Sequence, residues 1–287
     1  MFSKRFIYCF LATLSVSMAI FTKKIALLAE VPPLKLFFQF MVVAAIILSF
    51  NIILFQKKEI YKVKQISNSE WKKILLAGFF LFSAYFTSTI GLKYTTSINY
   101  GFLIRSSLIF SAILSFIFLK ERLHRSMCLL ILTFFVGVYL VSTSGKMIIP
   151  QFGDLLILAG GLFFASFSIT QKLVNKDIPS EIIGWGVMSS GAFYSIIASV
   201  LFKVNILSVQ AIYVVLFAGF FEAMVVVFMN KGLKITSVTY YYMVTMLAPI
   251  MNGILGVLFL NEIINAVQIF GGIILLISVI LAQKLKF

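Results

Sequence analysis

Residues 91–121 read GLKYTTSINYGFLIRSSLIFSAILSFIFLKE, and residues 232–262 read GLKITSVTYYYMVTMLAPIMNGILGVLFLNE. The two stretches align without a gap at a constant offset of 141 residues. They share the initial Gly-Leu-Lys, a threonine two residues later, and a glutamate at the end. Leu and Ile matches are common between any two apolar helices, whereas these glycine and polar matches are not. The repeat predicts a chain built from two similar halves.

The composition around this repeat defines the broad class of the protein. Hydrophobic residues make up 61% of the chain and charged residues only 11%, against about 45–50% and about 25% in soluble domains. Apolar runs such as 40–48 lack the alternation of a transmembrane β-barrel. We therefore predict an all-α, polytopic membrane protein.

Apolar runs separated by charged or turn residues predict ten membrane-spanning helices, because about 20 apolar residues cross the hydrocarbon core. Five spans per half is an odd number, so the second half enters the membrane from the opposite side, as in inverted-repeat transporters. We expect a first repeat over 1–144, a linker over 145–153 and a second repeat over 154–287. The spans lie near 6–28, 34–55, 73–92, 96–119, 126–144, 154–174, 180–202, 208–230, 236–260 and 263–283.

The distribution of basic residues predicts the orientation of the chain. With the N-terminus in the cytoplasm, 17 Lys and Arg residues fall on the cytoplasmic side and 6 on the outer side, which satisfies the positive-inside rule. Both termini are therefore expected in the cytoplasm of a cell whose plasma or inner membrane holds the protein. The net charge of +15 follows from this asymmetry and adds attraction to anionic membrane lipids. No nucleic-acid reader is indicated.

The two repeated stretches resemble the EamA domain of the drug/metabolite transporter superfamily. The first matching segment runs from Gly91 to Asn99 and ends in Phe118-Leu-Lys-Glu-Arg-Leu, and the second runs from Gly232 through Ala248-Pro249 to Glu262. The resemblance covers the whole chain as two EamA-like halves. It implies a ten-helix permease for small organic solutes, with a central cavity lined mainly by helices 1, 3, 4, 6, 8 and 9. Leu108 replaces the usual proline of helix 4.

Two ionisable residues lie within predicted spans, Arg105 in the fourth and Glu222 in the eighth. A charge in a membrane helix costs roughly 2.5–3.5 kcal/mol on insertion scales, so such residues usually face a cavity or each other. Many EamA relatives lack these two charges, and we expect Arg105 and Glu222 to meet in the cavity, as an ion pair or as separate anchors for a substrate with both charges. The alternatives are a purely structural pair, or an arginine that reaches to the interface. Lys23 is interpreted as such an interfacial anchor.

Polar residues at helical spacing predict the rest of a substrate site. Ser and Thr also cross-bond between packed membrane helices without a ligand, so for them packing is the preferred interpretation. Tyr240 and Tyr242 are expected in an interfacial aromatic belt. The residues predicted to line the cavity are Tyr241, Thr245 and Asn252 on one face of helix 9, and Asn99, Phe102 and Ser106 in helix 4.

These features favour a secondary transporter of a small organic metabolite, amino-acid-like or otherwise zwitterionic, that works by alternating access. Glu222 is the candidate for proton coupling, because taking up a proton removes the cost of its buried charge. We predict neither enzyme activity nor a cofactor, and His124 with Glu121 and Cys128 lacks the further ligands of a metal site. The alternative is a membrane-embedded enzyme acting on lipid-linked substrates. Monomer and homodimer both stay open.

Overall fold

The computed structural model describes residues 3–55, 63, 65–92, 94, 102–121, 125–147, 151–174, 176–206, 212–260 and 264–284. Within these ranges the chain is helical and has no β-strand, which confirms the predicted all-α fold. The helices are α1 (Lys4–Leu28), α2 (Pro33–Phe55), α3 (Asn68–Leu92), a 3-10 turn (Ile104–Ser106) that continues into α4 (Ser107–Leu119), α5 (Arg125–Thr143), α6 (Phe152–Leu173), α7 (Ser180–Leu201), α8 (Ile212–Ile235), α9 (Val238–Thr245), α10 (Ala248–Leu260) and α11 (Ala266–Lys284).

The lengths of these helices match a membrane protein. Seven segments of the described chain are long and apolar enough to cross a bilayer, and three shorter apolar segments lie at Ile104–Leu119, Cys128–Val141 and Ala266–Ser278. Large apolar side chains such as Leu129, Phe217 and Phe270 are more than half exposed on the outside of the bundle. Soluble proteins rarely expose so much contiguous apolar surface, so lipid is the expected surrounding of this bundle. Each of the ten predicted spans contains helix, and the ninth consists of α9 and α10.

The helix packing has two-fold pseudosymmetry: each packed pair of helices has an equivalent pair when the two halves are exchanged. Helix α1 packs along α8, and its repeat equivalent α6 packs along α3. Helix α2 contacts α7 and α8, while α7 contacts α2 and α3. At the edge of the bundle α5 packs along α11. These contacts follow if α1–α5 correspond in order to α6, α7, α8, the α9–α10 pair and α11.

Equivalent helices of the two halves run antiparallel. In α2 and α7, Leu48 lies against Gly184 near the start of α7, whereas Met41 lies against Gly191 further along. In α5 and α11, the Thr133 and Ser278 hydroxyls are 2.9 Å apart. Gly271, two turns earlier in α11, lies against Leu140, two turns later in α5. Antiparallel equivalents are the property of inverted repeats, so the predicted inversion is confirmed.

Glycines let the paired helices approach closely. A Cβ atom on Gly153 would lie 2.2 Å from the Gly91 carbonyl oxygen, and one on Gly161 would lie 2.5 Å from Ser106 Oγ. A Cβ atom on Gly160 would likewise lie 2.9 Å from Ser88 Cβ, and one on Gly271 would lie 2.6 Å from Leu140 Cβ. At Gly253, in contrast, the nearest neighbour of a Cβ atom would be 3.6 Å away, an ordinary van der Waals distance.

The ninth span is broken at Met246–Leu247, between α9 and α10. Pro249 follows the break and lacks a backbone N–H, so a continuous hydrogen-bond ladder cannot pass it. Every residue of α9 is buried, and the helix packs on α1, α4, α6, α8 and α11. Broken helices in the interior of a membrane bundle are characteristic of transporter binding regions.

Candidate functional site

The centre of the candidate site is an ion pair between Lys23 of α1 and Glu222 of α8. The Glu222 side chain is 3% exposed and the Lys23 side chain 14%. The Tyr85 hydroxyl of α3 donates a hydrogen bond of 2.9 Å to Glu222 Oε1, and Lys23 Nζ donates one of 3.2 Å to Tyr85 Oη. Three polar groups from three helices thus form one connected network inside the bundle.

Aromatic rings enclose the ammonium end of this network. Lys23 Nζ lies 4.1 Å from the ring centroid of Phe40 and 4.4 Å from that of Tyr85. Cation–π attraction at such distances is worth about 0.5–2 kcal/mol. The Tyr85 ring in turn contacts Phe37 of α2 at 5.0 Å and Phe164 of α6 at 5.1 Å between centroids. We call Lys23, Phe40, Tyr85 and Glu222 the Lys23–Glu222 cluster.

The structure corrects two expectations about charged residues. Glu222 pairs with Lys23 and not with Arg105, so the ion pair, one of the two arrangements expected for Arg105 and Glu222, is not formed, and their role as separate anchors stays a prediction. Lys23 is also not an interfacial anchor, since α1 packs along α8 and brings the ammonium to the carboxylate. A signal was present in the sequence: Ala19 and Ala26, four residues before and three after Lys23, lie on the same buried face of α1. Arg105 lies in the 3-10 turn before α4.

Two of the residues predicted from the ninth span, Tyr241 and Thr245, lie in the buried helix α9 just before the break. Tyr241 is 4% exposed. The Thr245 hydroxyl donates to the Tyr242 carbonyl of its own helix at 2.8 Å, which favours a packing role for this threonine. Asn252 lies in α10, and its Oδ1 atom is buried without a hydrogen-bond partner among the described residues.

Two tyrosines of helix 9 differ from the expected interfacial belt. Tyr240 is fully buried and Tyr242 is 8% exposed. The Tyr242 hydroxyl lies 2.7 Å from Ser168 Oγ and donates to the Phe164 carbonyl at 2.7 Å. These bonds tie α9 to α6. The belt interpretation fails because all of α9 is surrounded by other helices and none of it reaches the surface of the bundle.

Two of the residues predicted from the fourth span, Phe102 and Ser106, contact different neighbouring helices. Phe102 packs edge-on against Phe135 and Tyr139 of α5, with centroids 6.1 and 5.6 Å apart. Ser106 is buried against Gly161 of α6. Asn99 lies outside the described residues. The predicted role of these residues in lining a cavity therefore stays a prediction.

The ends of the helices predicted to face the cytoplasm are held together by lysines. Lys172, at the end of α6, contacts Glu121 after α4 at 3.3 Å and donates to the Thr236 carbonyl. Lys73 of α3 donates to the Leu173 carbonyl at 2.9 Å. The Lys172–Glu121 contact and the Lys73–Leu173 contact both join the first half of the chain to the second.

Two inverted halves, a broken helix in the interior, and a buried ion pair that joins the halves define the class of the protein as a membrane transporter. The comparisons with known proteins agree. The model of the EamA-like transporter family matches residues 4–143 and 151–283, and the chain belongs to this family.

Two similar proteins are also named as transporters. An uncharacterized transporter of Archaeoglobus fulgidus is 26% identical over 211 residues, which is 72% of this chain and 67% of that protein. The uncharacterized transporter YyaM of Bacillus subtilis is 27% identical over 219 residues, 72% of this chain and 70% of that protein. A solved crystal structure of a protein aligns over 100% of both chains with a TM-score of 0.82 at 16% identity, which supports the fold alone.

Proposed function

We propose that the protein is a secondary transporter that moves a small organic solute across the cytoplasmic membrane by alternating access, with the Lys23–Glu222 cluster as its central binding site. The observation that carries the proposal is the position of this ion pair. Lys23 belongs to the first half and Glu222 to the second. A solute that separates the two charges would therefore act directly on the interface between the repeats, where inverted-repeat transporters bind their substrates.

The chemistry of the cluster favours a zwitterionic solute such as an amino acid. Such a solute offers an ammonium group for Glu222 and a carboxylate for Lys23, so both buried charges keep a partner when their mutual bond opens. Leaving either charge alone in the low-dielectric interior would be costly. The rings of Phe40 and Tyr85, which now face the Lys23 ammonium, offer the same faces to a substrate ammonium.

Glu222 is also the proposed site of proton coupling. Its carboxylate is the acidic group of the cluster, and its protonation would release Lys23 from the ion pair. A proton gradient could then bias the interface toward one of its two arrangements, because a ligand shifts an equilibrium by its differential affinity for the two states. Arg105 remains a proposed second anchor, at the 3-10 turn where α4 begins.

The structure corresponds in this account to a closed state. Glu222, Tyr241, Ser106 and Thr245 are each less than a tenth exposed, and Lys172 and Lys73 tie the two halves together at the predicted cytoplasmic side. Opening toward the cytoplasm would break these two contacts while the repeats rock about the centre. We further propose that both termini are cytoplasmic and that the repeats divide the chain at residues 145–153.

The test is uptake of radiolabelled amino acids into proteoliposomes, with and without a pH gradient. We expect uptake of at least one zwitterion that the gradient stimulates. Glu222→Gln should lose the stimulation by the gradient, and its uptake should be weak without a gradient as well, because the carboxylate is also the proposed partner of the substrate ammonium. As a matched control, Glu181→Gln removes a carboxylate that pairs with Lys231 at 2.7 Å at the helix ends, and it should leave the stimulation unchanged. Equal stimulation in both variants would refute Glu222 as the coupling group.

A further inference from the structure

A second polar site lies away from the Lys23–Glu222 cluster, where the end of α6, the start of α7 and the end of α8 meet. It is a small pocket that is open to the solvent. Its wall contains three lysines and two amide side chains, together with aliphatic residues at its base. The lining residues are Gln171, Lys172, Val174, Lys176, Ile183, Asn230, Leu233 and Lys234. We call it the three-lysine pocket.

The ammonium groups of this pocket keep hydrogen-bond donors for a ligand. Lys172 donates to the Thr236 carbonyl and contacts Glu121, and Lys234 donates to the Ile178 carbonyl. An ammonium group has three N–H donors, so Lys172 can donate to one further partner. Lys176 is exposed at the mouth. The lining therefore carries three lysines, and one of them, Lys172, is paired with Glu121 beside the pocket.

Gln171 is the observation that points to a ligand. Its side chain is 3% exposed, and neither its Oε1 nor its Nε2 atom has a hydrogen-bond partner in the described part of the chain. A buried polar group without a partner costs about 1–3 kcal/mol. An amide held in this way beside three lysines is accounted for if the pocket binds a polar ligand that hydrogen-bonds to Nε2.

We infer that the three-lysine pocket binds a phosphate oxyanion. Three lysines match the multiple charges of a phosphate group better than the single charge of a carboxylate, and the Gln171 and Asn230 amides can donate to its remaining oxygens. The pocket lies on the predicted cytoplasmic side, where basic pockets between membrane helices bind anionic lipid headgroups. A free phosphate compound would present the same group. This inference does not depend on the proposed transport function.

The test is thermal unfolding of the purified protein in a zwitterionic detergent, titrated with two probes. Short-chain phosphatidylglycerol is compared with phosphatidylcholine, and inorganic phosphate with chloride at equal ionic strength. A ligand that binds only the folded state raises the Tm by mass action. We expect a shift with phosphatidylglycerol if the source is lipid, or with inorganic phosphate if the source is soluble. No shift with either probe would overturn the inference.

Variants of the pocket separate specific binding from general attraction to a basic surface. Lys176→Ala should lower the affinity for the probe that raises the Tm about fivefold, as expected for one partly exposed ion pair. Lys176→Glu should lower this affinity more than tenfold. Lys72, an exposed lysine of α3 outside the pocket, is the matched control. Lys72→Ala and Lys72→Glu should leave the affinity unchanged. Equal loss at positions 72 and 176 would overturn the inference.

Gln171→Leu distinguishes a ligand contact from a structural role. Removing an unpartnered buried amide should leave the Tm of the ligand-free protein unchanged or higher. The probe should bind about tenfold more weakly, because its charged phosphate oxygens lose the hydrogen bond from Gln171 Nε2. If Gln171→Leu binds the probe as tightly as the native protein, Gln171 is not a ligand contact and the inference fails. The variants at position 176 keep the test valid if Gln171→Leu does not fold.

Discussion

Neutralising one member of the Lys23–Glu222 pair tests how the two halves of the bundle are held together. Lys23→Met removes the ammonium but keeps the length of the side chain, and it leaves a carboxylate that is 3% exposed without its counter-charge. Removing one partner of a buried ion pair costs about 3–5 kcal/mol. Glu222→Gln leaves the Lys23 ammonium in the same position and should cost a similar amount.

The double variant Lys23→Met/Glu222→Gln should recover most of this loss. With both charges gone, no unpaired ion remains in the interior, and replacing a buried pair by neutral groups is often neutral or stabilising. We expect the double variant within about 1 kcal/mol of the native protein, so the coupling energy of the cycle is several kcal/mol. At about 2 °C per kcal/mol, each single variant should unfold roughly 6–10 °C earlier than the native protein.

Trp71 and Trp185, whose ring centroids are 6.3 Å apart, provide a fluorescence signal for thermal unfolding in detergent. The control cycle is Lys231→Met with Glu181→Gln, an ion pair of 2.7 Å whose lysine side chain is 36% exposed. Partly exposed pairs contribute about 0–1 kcal/mol, so this cycle should show little coupling. Additive losses at Lys23 and Glu222, or equal coupling in both cycles, would refute the reasoning.

Three further predictions follow from single contacts. Tyr85→Phe keeps the ring beside the Lys23 ammonium but loses the 2.9 Å hydrogen bond to the buried carboxylate, so thermal unfolding should show a loss of about 1.5–3 kcal/mol; an unchanged Tm would contradict this contact. Gly153→Ala places a Cβ 2.2 Å from a backbone oxygen of α3 and should abolish a monodisperse gel-filtration peak, whereas Gly253→Ala, with its nearest neighbour at 3.6 Å, should not. Cys128, which is exposed, should react with a membrane-impermeant maleimide from the cytoplasmic side only; labelling from outside would reverse the proposed orientation.

Most of the fold could be predicted because it depends on local patterns in the sequence. The length of the apolar runs determines the spans, and the repeat between residues 91–121 and 232–262 relates the halves. The break in the ninth span also had a local cause, Pro249. Helix ends agree within a few residues for most spans, as for the predicted span 180–202 and the observed Ser180–Leu201.

The site could be predicted only in part, because which helices touch is not a local property. Glu222 was identified from its depth in the eighth span, and its partner depended on α1 packing along α8. Lys23 lies near the end of its span, where a lysine usually reaches to the interface, and only the alanines on the same face indicated burial. Tyr240 illustrates the same limit, since its position near a helix end suggested an interface although neighbouring helices bury it completely.

The central claim is that the Lys23–Glu222 cluster binds the transported solute, and binding to a stable variant tests it most directly. The native protein and Lys23→Met/Glu222→Gln are screened by thermal unfolding against amino acids, nucleosides, purines and quaternary amines. We predict that a zwitterion raises the Tm of the native protein and that this shift is lost in the double variant. A zwitterion shift of equal size in both proteins would contradict the claim and move the binding site elsewhere.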